Sequence, residues 1–193
     1  MAERESGYGR VARDAYDTPT WVFDALLDAW ELPPGVVWEP AAGTGRAAEH
    51  VESRTGRRVV ASDVEPRGPR VSRLDFLTDL EPRGPVIITN PPYGNVLHDF
   101  ARRAVALARR GGGGVALLLP ASAGTPMRAK GVFETSAGLS DVLQIKPRIV
   151  WFDQDGAAPS KDHAWFCWRF DRLVEGTRVS ILSHGGDFSS RRG

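Results

Sequence analysis

Apolar residues along the chain gather into short continuous runs, separated by amphipathic or polar stretches. "VVWEP" (residues 36–40), "RVVASD" (58–63), "VIIT" (86–89), "VALLLP" (115–120), "DVLQIK" (141–146) and "HAWFCWRF" (163–170) are such runs. Length and β-branched or aromatic enrichment predict buried strands for them. "RVSRLDF" (70–76) predicts a short strand, third in order. "RIVWF" (148–152) reads as part of the sixth strand, and "TRVSILSH" (177–184) as an optional last one.

Between these runs lie helical periods. Val22, Phe23, Leu26, Leu27 and Trp30 recur at helical spacing, with Thr18 expected as the N-cap and Pro19 at the first helical position. "RAAEHVES" (46–53) and "VLHDFARRAVALARR" (96–110) predict two more helices. "GGGG" (111–114) precedes a strand and lacks the Lys-Ser/Thr of a phosphate loop, so it reads as a helix stop. Strands alternating with helices predict one α/β domain over residues 16–185, with flexible tails at 1–15 and 186–193. The expected core is a doubly wound, mostly parallel seven-stranded sheet covered on both faces. Sites in such sheets gather at the carboxyl ends of the strands. Glu39, Asp63, Asp75, Asn90 and Pro120 all fall there.

Composition narrows the functional classes. No apolar run approaches the ~20 residues of a membrane span, and the charged N-terminus lacks a signal-peptide core. One cysteine, Cys167, excludes an internal disulfide, and the four histidines are scattered, which predicts no zinc site. A cytoplasmic protein is expected, with a monomer as the default state. The net charge of +1 argues against a nucleic-acid grip built on bulk charge. Among 25 basic residues only Lys130, Lys146 and Lys161 are lysines.

Chemistry concentrates in two motifs. "EPAAGTGRAA" (39–48) follows a strand and opens a helix, with Gly43 and Gly45 allowing a tight turn that a ligand can approach closely. With Ala48 the run satisfies the dinucleotide fingerprint, and Asp63 closes the next strand where an acid would bind ribose hydroxyls. These features fit NAD and S-adenosylmethionine alike. Neither Tyr8, Tyr16 nor Tyr93 has a lysine four residues later, and no second domain is visible, which disfavours a dehydrogenase. The second motif is "NPPY" (90–93), where a buried strand ends on an amide, two rigid prolines and an aromatic ring.

Together with "YDTP" (16–19) and the ending "PRIVWF…HAWFCW", these motifs resemble class I S-adenosylmethionine-dependent methyltransferases. More narrowly, they resemble the adenine-N6 DNA methyltransferases of small phage-like type, over roughly residues 16–170. The resemblance implies a cofactor site of Tyr16, Thr18, Pro19, Glu39, Ala41, Gly43, Gly45, Asp63, Asp75 and Phe76. Tyr16, Thr18 and Pro19 would close the methionine end, Asp63 would take the ribose, and Asp75 with Phe76 the adenine. Asn90, Pro91, Pro92 and Tyr93 would form the catalytic strand end. An exocyclic adenine amine is a poor nucleophile because its lone pair is delocalised. The Asn90 side-chain oxygen and the Pro91 carbonyl can accept its N–H groups and free that lone pair, with orientation and electrostatics carrying the rate. Tyr93 would stack on a base flipped from its helix. Trp151 is the candidate for the opposite face. Arg128, Lys130, Arg148 and Lys161 are candidates for phosphate contacts.

The expected partner is DNA, with RNA open and no membrane or metal. Only segments 121–140 and 153–162 are free to read a target, which predicts a short or relaxed sequence. NPPY also occurs in RNA adenine-N6 and protein glutamine-N5 methyltransferases, and these remain the alternatives.

Overall fold

The computed structural model describes residues 17–124, 137–151 and 161–183. The chain runs through α1 (Thr20–Ala29), β1 (Val37–Glu39), α2 (Arg46–Thr55), β2 (Val59–Asp63) and β3 (Ser72–Arg73). β4 (Val86–Thr89), α3 (Leu97–Arg110) and β5 (Gly114–Pro120) follow, and then β6 (Leu139–Lys146), β7 (His163–Arg169) and β8 (Arg178–Ser183). The proposed tails, Tyr16, Arg128, Lys130 and most of segments 121–140 and 153–162 lie outside the described residues.

The strands form one sheet in the order β3-β2-β1-β4-β5-β7-β6-β8. β1, β2, β3, β4 and β5 are mutually parallel neighbours, whereas β7 runs antiparallel to both β5 and β6. β8 joins β6 in parallel, so the optional last strand is present and the sheet has eight strands rather than seven. Chain order reverses between β1 and β4. A crevice opens at such a switch point, above the carboxyl ends of the two strands.

The apolar runs are continuous because both faces of the sheet are covered. Along β4, Val86 and Ile88 join a core shared with Val22, Phe23, Leu26 and Trp30 of α1. Ile87 turns to the other face, where Phe100, Ala104 and Leu107 of α3 pack with Trp38 and Phe76. Trp165 ties α1 to the sheet by donating from Nε1 to the Val22 carbonyl at 3.0 Å and meeting Phe23 edge-on at 5.4 Å.

Two local expectations are corrected. Thr18 does not cap α1: Pro19 holds the cap position with extended backbone, and no side chain caps the helix. The Thr18 hydroxyl is turned to Asn90 instead. "RIVWF" does not extend the sixth strand, which stops at Lys146 because Pro147 has no ladder N–H to offer. Among the described residues no helix is long and apolar enough to cross a membrane.

Candidate active site

β1 ends in Glu39, and the chain then turns through Gly43 (φ 55°) and Gly45 (φ 85°) into α2. Both angles are left-handed, which explains the two glycines. Asp63, at the end of neighbouring β2, secures the turn: its Oδ2 accepts from the Gly43 N–H at 2.8 Å and its Oδ1 from the Glu65 N–H at 2.9 Å. Asp63 is only 2% exposed, and a carboxylate has lone pairs to spare for a further donor. It lines a cleft with Ala41, Val64, Asp75, Phe76, Pro92 and Phe100. Phe76 forms a wall of that cleft, 4.2 Å from the Phe100 ring and 5.1 Å from Trp38. Asp75 Oδ1 accepts from the Leu77 N–H at 2.9 Å, fixing the loop that carries both residues.

Glu39 is buried beneath the turn. Burial, reinforced by the charges of Asp63 and Asp17 and opposed by the Ala48 backbone, pushes its carboxyl up to about 8. It therefore carries a proton at neutral pH.

Across the switch point, β4 delivers Asn90. The Asn90 Nδ2 donates to Thr18 Oγ1 at 3.1 Å, and Tyr93 Oη donates to Asn90 Oδ1 at 2.7 Å, with the Leu118 carbonyl 3.3 Å from the same hydroxyl. Both partners are hydroxyls, and in this arrangement the side-chain oxygen faces Tyr93 while the amide nitrogen faces Thr18. That oxygen retains a second lone pair.

Sequence reasoning missed His163. It begins β7, opposite Pro120 at the end of β5, and its ring lies 6.1 Å from Tyr93 and 5.4 Å from Trp151. The aromatic pair expected to flank a base is thus joined through an imidazole. His163 is 5% exposed, and among the described residues its Nδ1 has no hydrogen-bond partner. Burial holds the ring below the ordinary histidine value, against the opposing pull of the Lys161 backbone and the Asp162 charge. The antiparallel pairing of "HAWFCWR" with "GVALLLP" was the only available signal, because it brings the start of one run to the end of the other.

Two charged candidates fall among the described residues. Lys161 is exposed, while Arg148 Nε lies 2.7 Å from Asp162 Oδ1, so an acid already offsets its charge. Among the described residues no group of His, Cys, Asp and Glu is placed to hold a metal ion.

No protein-family model matches the chain, and no curated protein matches it. Solved structures do. The M protein of the type I restriction enzyme EcoKI superposes with a TM-score of 0.61 at 17% identity, covering 91% of this chain and 50% of that one. A Listeria monocytogenes protein named as a class I S-adenosylmethionine-dependent methyltransferase gives 0.56 at 14% identity, covering 92% and 68%. A Pyrococcus horikoshii protein named as an RNA methyltransferase gives 0.57 at 16% identity, covering 80% and 86%. The chain therefore spans only half of the EcoKI M protein. At these identities the likeness is one of fold: the chain has the Rossmann-like methyltransferase fold in a single domain.

Proposed function

We propose that the chain is an enzyme transferring a methyl group from S-adenosylmethionine to the N6 amine of adenine in DNA. The observation that carries this reading is the Asn90 amide, held at both ends at the carboxyl end of β4, two residues before Pro92, which lines a cleft with Pro40, Ala41 and the buried acid Asp63. The residues present fit that cofactor. Gly43 and Gly45 supply the left-handed turn at the end of β1, Asp63 and Asp75 offer carboxylates to hydroxyl and amino groups, and Phe76 with Pro92 offers apolar walls. When bound, the cofactor supplies a methyl group made electrophilic by its sulfonium.

The chain's own residues do the rest. Asn90 Oδ1 and the Pro91 carbonyl accept the two N–H groups of the target amine, drawing its nitrogen toward tetrahedral geometry. The double proline keeps both acceptors still, so their orientation needs no adjustment during the reaction. Tyr93 and Trp151, linked through His163, flank the base that must leave its stack to enter. No strong base is needed, because the newly methylated amine is acidic and gives up its proton readily.

RNA is the second reading, favoured by the fold likeness to the P. horikoshii protein named as an RNA methyltransferase. Incubation of the purified chain with labelled cofactor and DNA, RNA or a release factor separates the classes. Label in the N6 position of DNA adenine is the expected result. Label confined to a glutamine amide overturns the proposal.

A further inference from the structure

The loop after β2 folds back over the glycine turn. A Cβ placed on Gly43 would lie 2.7 Å from Arg67 Nη2, so the guanidinium stands directly over the turn. The Arg67 backbone is fixed there, its N–H donating to the Gly43 carbonyl at 2.9 Å. A Cβ on Gly68 would meet the Thr44 carbonyl at 1.9 Å, so only glycine lets the loop lie this close. Asp17 approaches the same turn from the segment before α1. It accepts from Thr44 Oγ1 at 2.9 Å and stands 3.7 Å from Arg67 Nη2. A carboxylate and a guanidinium, 22% and 38% exposed, thus meet at one glycine turn.

We propose that Arg67 and Asp17 form a receptor for a zwitterionic α-amino acid group, with Arg67 taking its carboxylate and Asp17 its ammonium. The proposal rests on the S-adenosylmethionine reading and assigns the residues that hold that ligand's amino-acid end. The guanidinium fork matches a carboxylate through two parallel hydrogen bonds. An ion pair this exposed contributes little to the fold, so it can open and exchange its partner for the ligand's two charges at small cost. Among the described residues Arg46 is also near Asp17, but it lies 3.9 Å away with its side chain 60% exposed and does not stand over Gly43.

Calorimetry on the full chain tests this without any methyl transfer. The two probes are S-adenosylhomocysteine and 5′-methylthioadenosine, which keeps the adenosine and thioether but lacks the amino-acid end. Arg67→Gln and Asp17→Asn are each expected to weaken S-adenosylhomocysteine about tenfold, and 5′-methylthioadenosine by less than about twofold. Decarboxylated S-adenosylmethionine retains the ammonium, so Asp17→Asn should penalise it and Arg67→Gln should not. Arg67→Lys, which keeps the charge without the fork, should recover part of the affinity. Equal losses on both nucleosides, or no loss on either, overturn the proposal and leave the cofactor reading standing. Failure of the wild type to bind either nucleoside overturns both.

Discussion

Asn90 and Thr18 are joined by a 3.1 Å hydrogen bond across 72 positions of sequence. Through it the segment entering α1 reaches the end of β4 and holds one end of the Asn90 amide in place. Thr18→Val keeps the shape of the side chain and removes the acceptor, leaving Tyr93 alone to hold the amide. Misplacing a reacting group by about 1 Å can cost about 100-fold in rate. The expected outcome is a fall in turnover of about ten- to a hundredfold, with cofactor affinity changed only slightly. Single-turnover methyl transfer and calorimetry on the same preparation check it, and a purely cofactor-binding Thr18 would show the opposite split.

On the proposed reading Asn90 serves the chemistry and Asp63 the cofactor. Asn90→Ala should abolish detectable methyl transfer while leaving cofactor affinity within several-fold. Asp63→Ala acts differently, because Asp63 holds the Gly43 N–H at 2.8 Å inside the turn. Removing it leaves a buried donor unsatisfied, at about 1–3 kcal/mol, so both cofactor affinity and thermal stability should drop. Denaturant unfolding alongside calorimetry gives both numbers. Asp63→Ala protein that binds cofactor normally would show that the acid serves the turn alone.

Glu39 makes stability depend on pH in an unusual direction for a carboxyl. Its folded value is raised to about 8 from an ordinary 4.5. The protonated group is therefore favoured by folding, so its contribution is full below pH 4.5 and is lost as pH rises to about 8. At about 1.4 kcal/mol per unit, the span corresponds to about 5 kcal/mol. Glu39→Gln mimics the protonated form and should flatten this limb, raising the melting temperature at pH 8 relative to the wild type. Thermal melts at pH 5 and pH 8 decide it. An unchanged difference between the two pH values would mean that Glu39 ionises freely in the folded state.

The two motifs were legible because each is local. "EPAAGTG" needs only the strand–turn–helix geometry that its glycines impose, and "NPPY" marks a strand end because two prolines cannot continue a ladder. The role of Thr18 was not legible, since a threonine before proline fits a helix cap equally well. Only the tertiary approach of β4 gives its hydroxyl another partner. The apolar character of "RIVWF" suggests a strand, but Pro147 before it cannot join the ladder, and the proline decides where β6 ends. Arg67, Asp17 and His163 meet their neighbours only through folding, and spacing along the chain carries no mark of such contacts.

On the proposed reading Tyr93 both stacks on the base and donates to Asn90, and substitution can divide the two. Its ring lies 6.1 Å from His163, on the side of the site where Trp151 also packs, and its hydroxyl donates to Asn90 Oδ1 at 2.7 Å. Tyr93→Phe keeps the ring and removes the donor, so Asn90 loses one of the two contacts that orient it. Thr18 still holds the other end of the amide, and the expected loss is modest, at about threefold to tenfold in turnover with KM unchanged. Tyr93→Ala removes the stacking face as well, worth about 1–3 kcal/mol per base. That change should raise KM for the target and lower turnover further, while binding to a duplex without a target adenine stays the same, since phosphate contacts do not involve the ring. Steady-state kinetics on a defined duplex, with fluorescence from 2-aminopurine at the target position to follow base extrusion, resolves the two effects. Equal kinetics for the phenylalanine and alanine variants would mean that the ring does not contact the base and that the hydroxyl alone accounts for Tyr93.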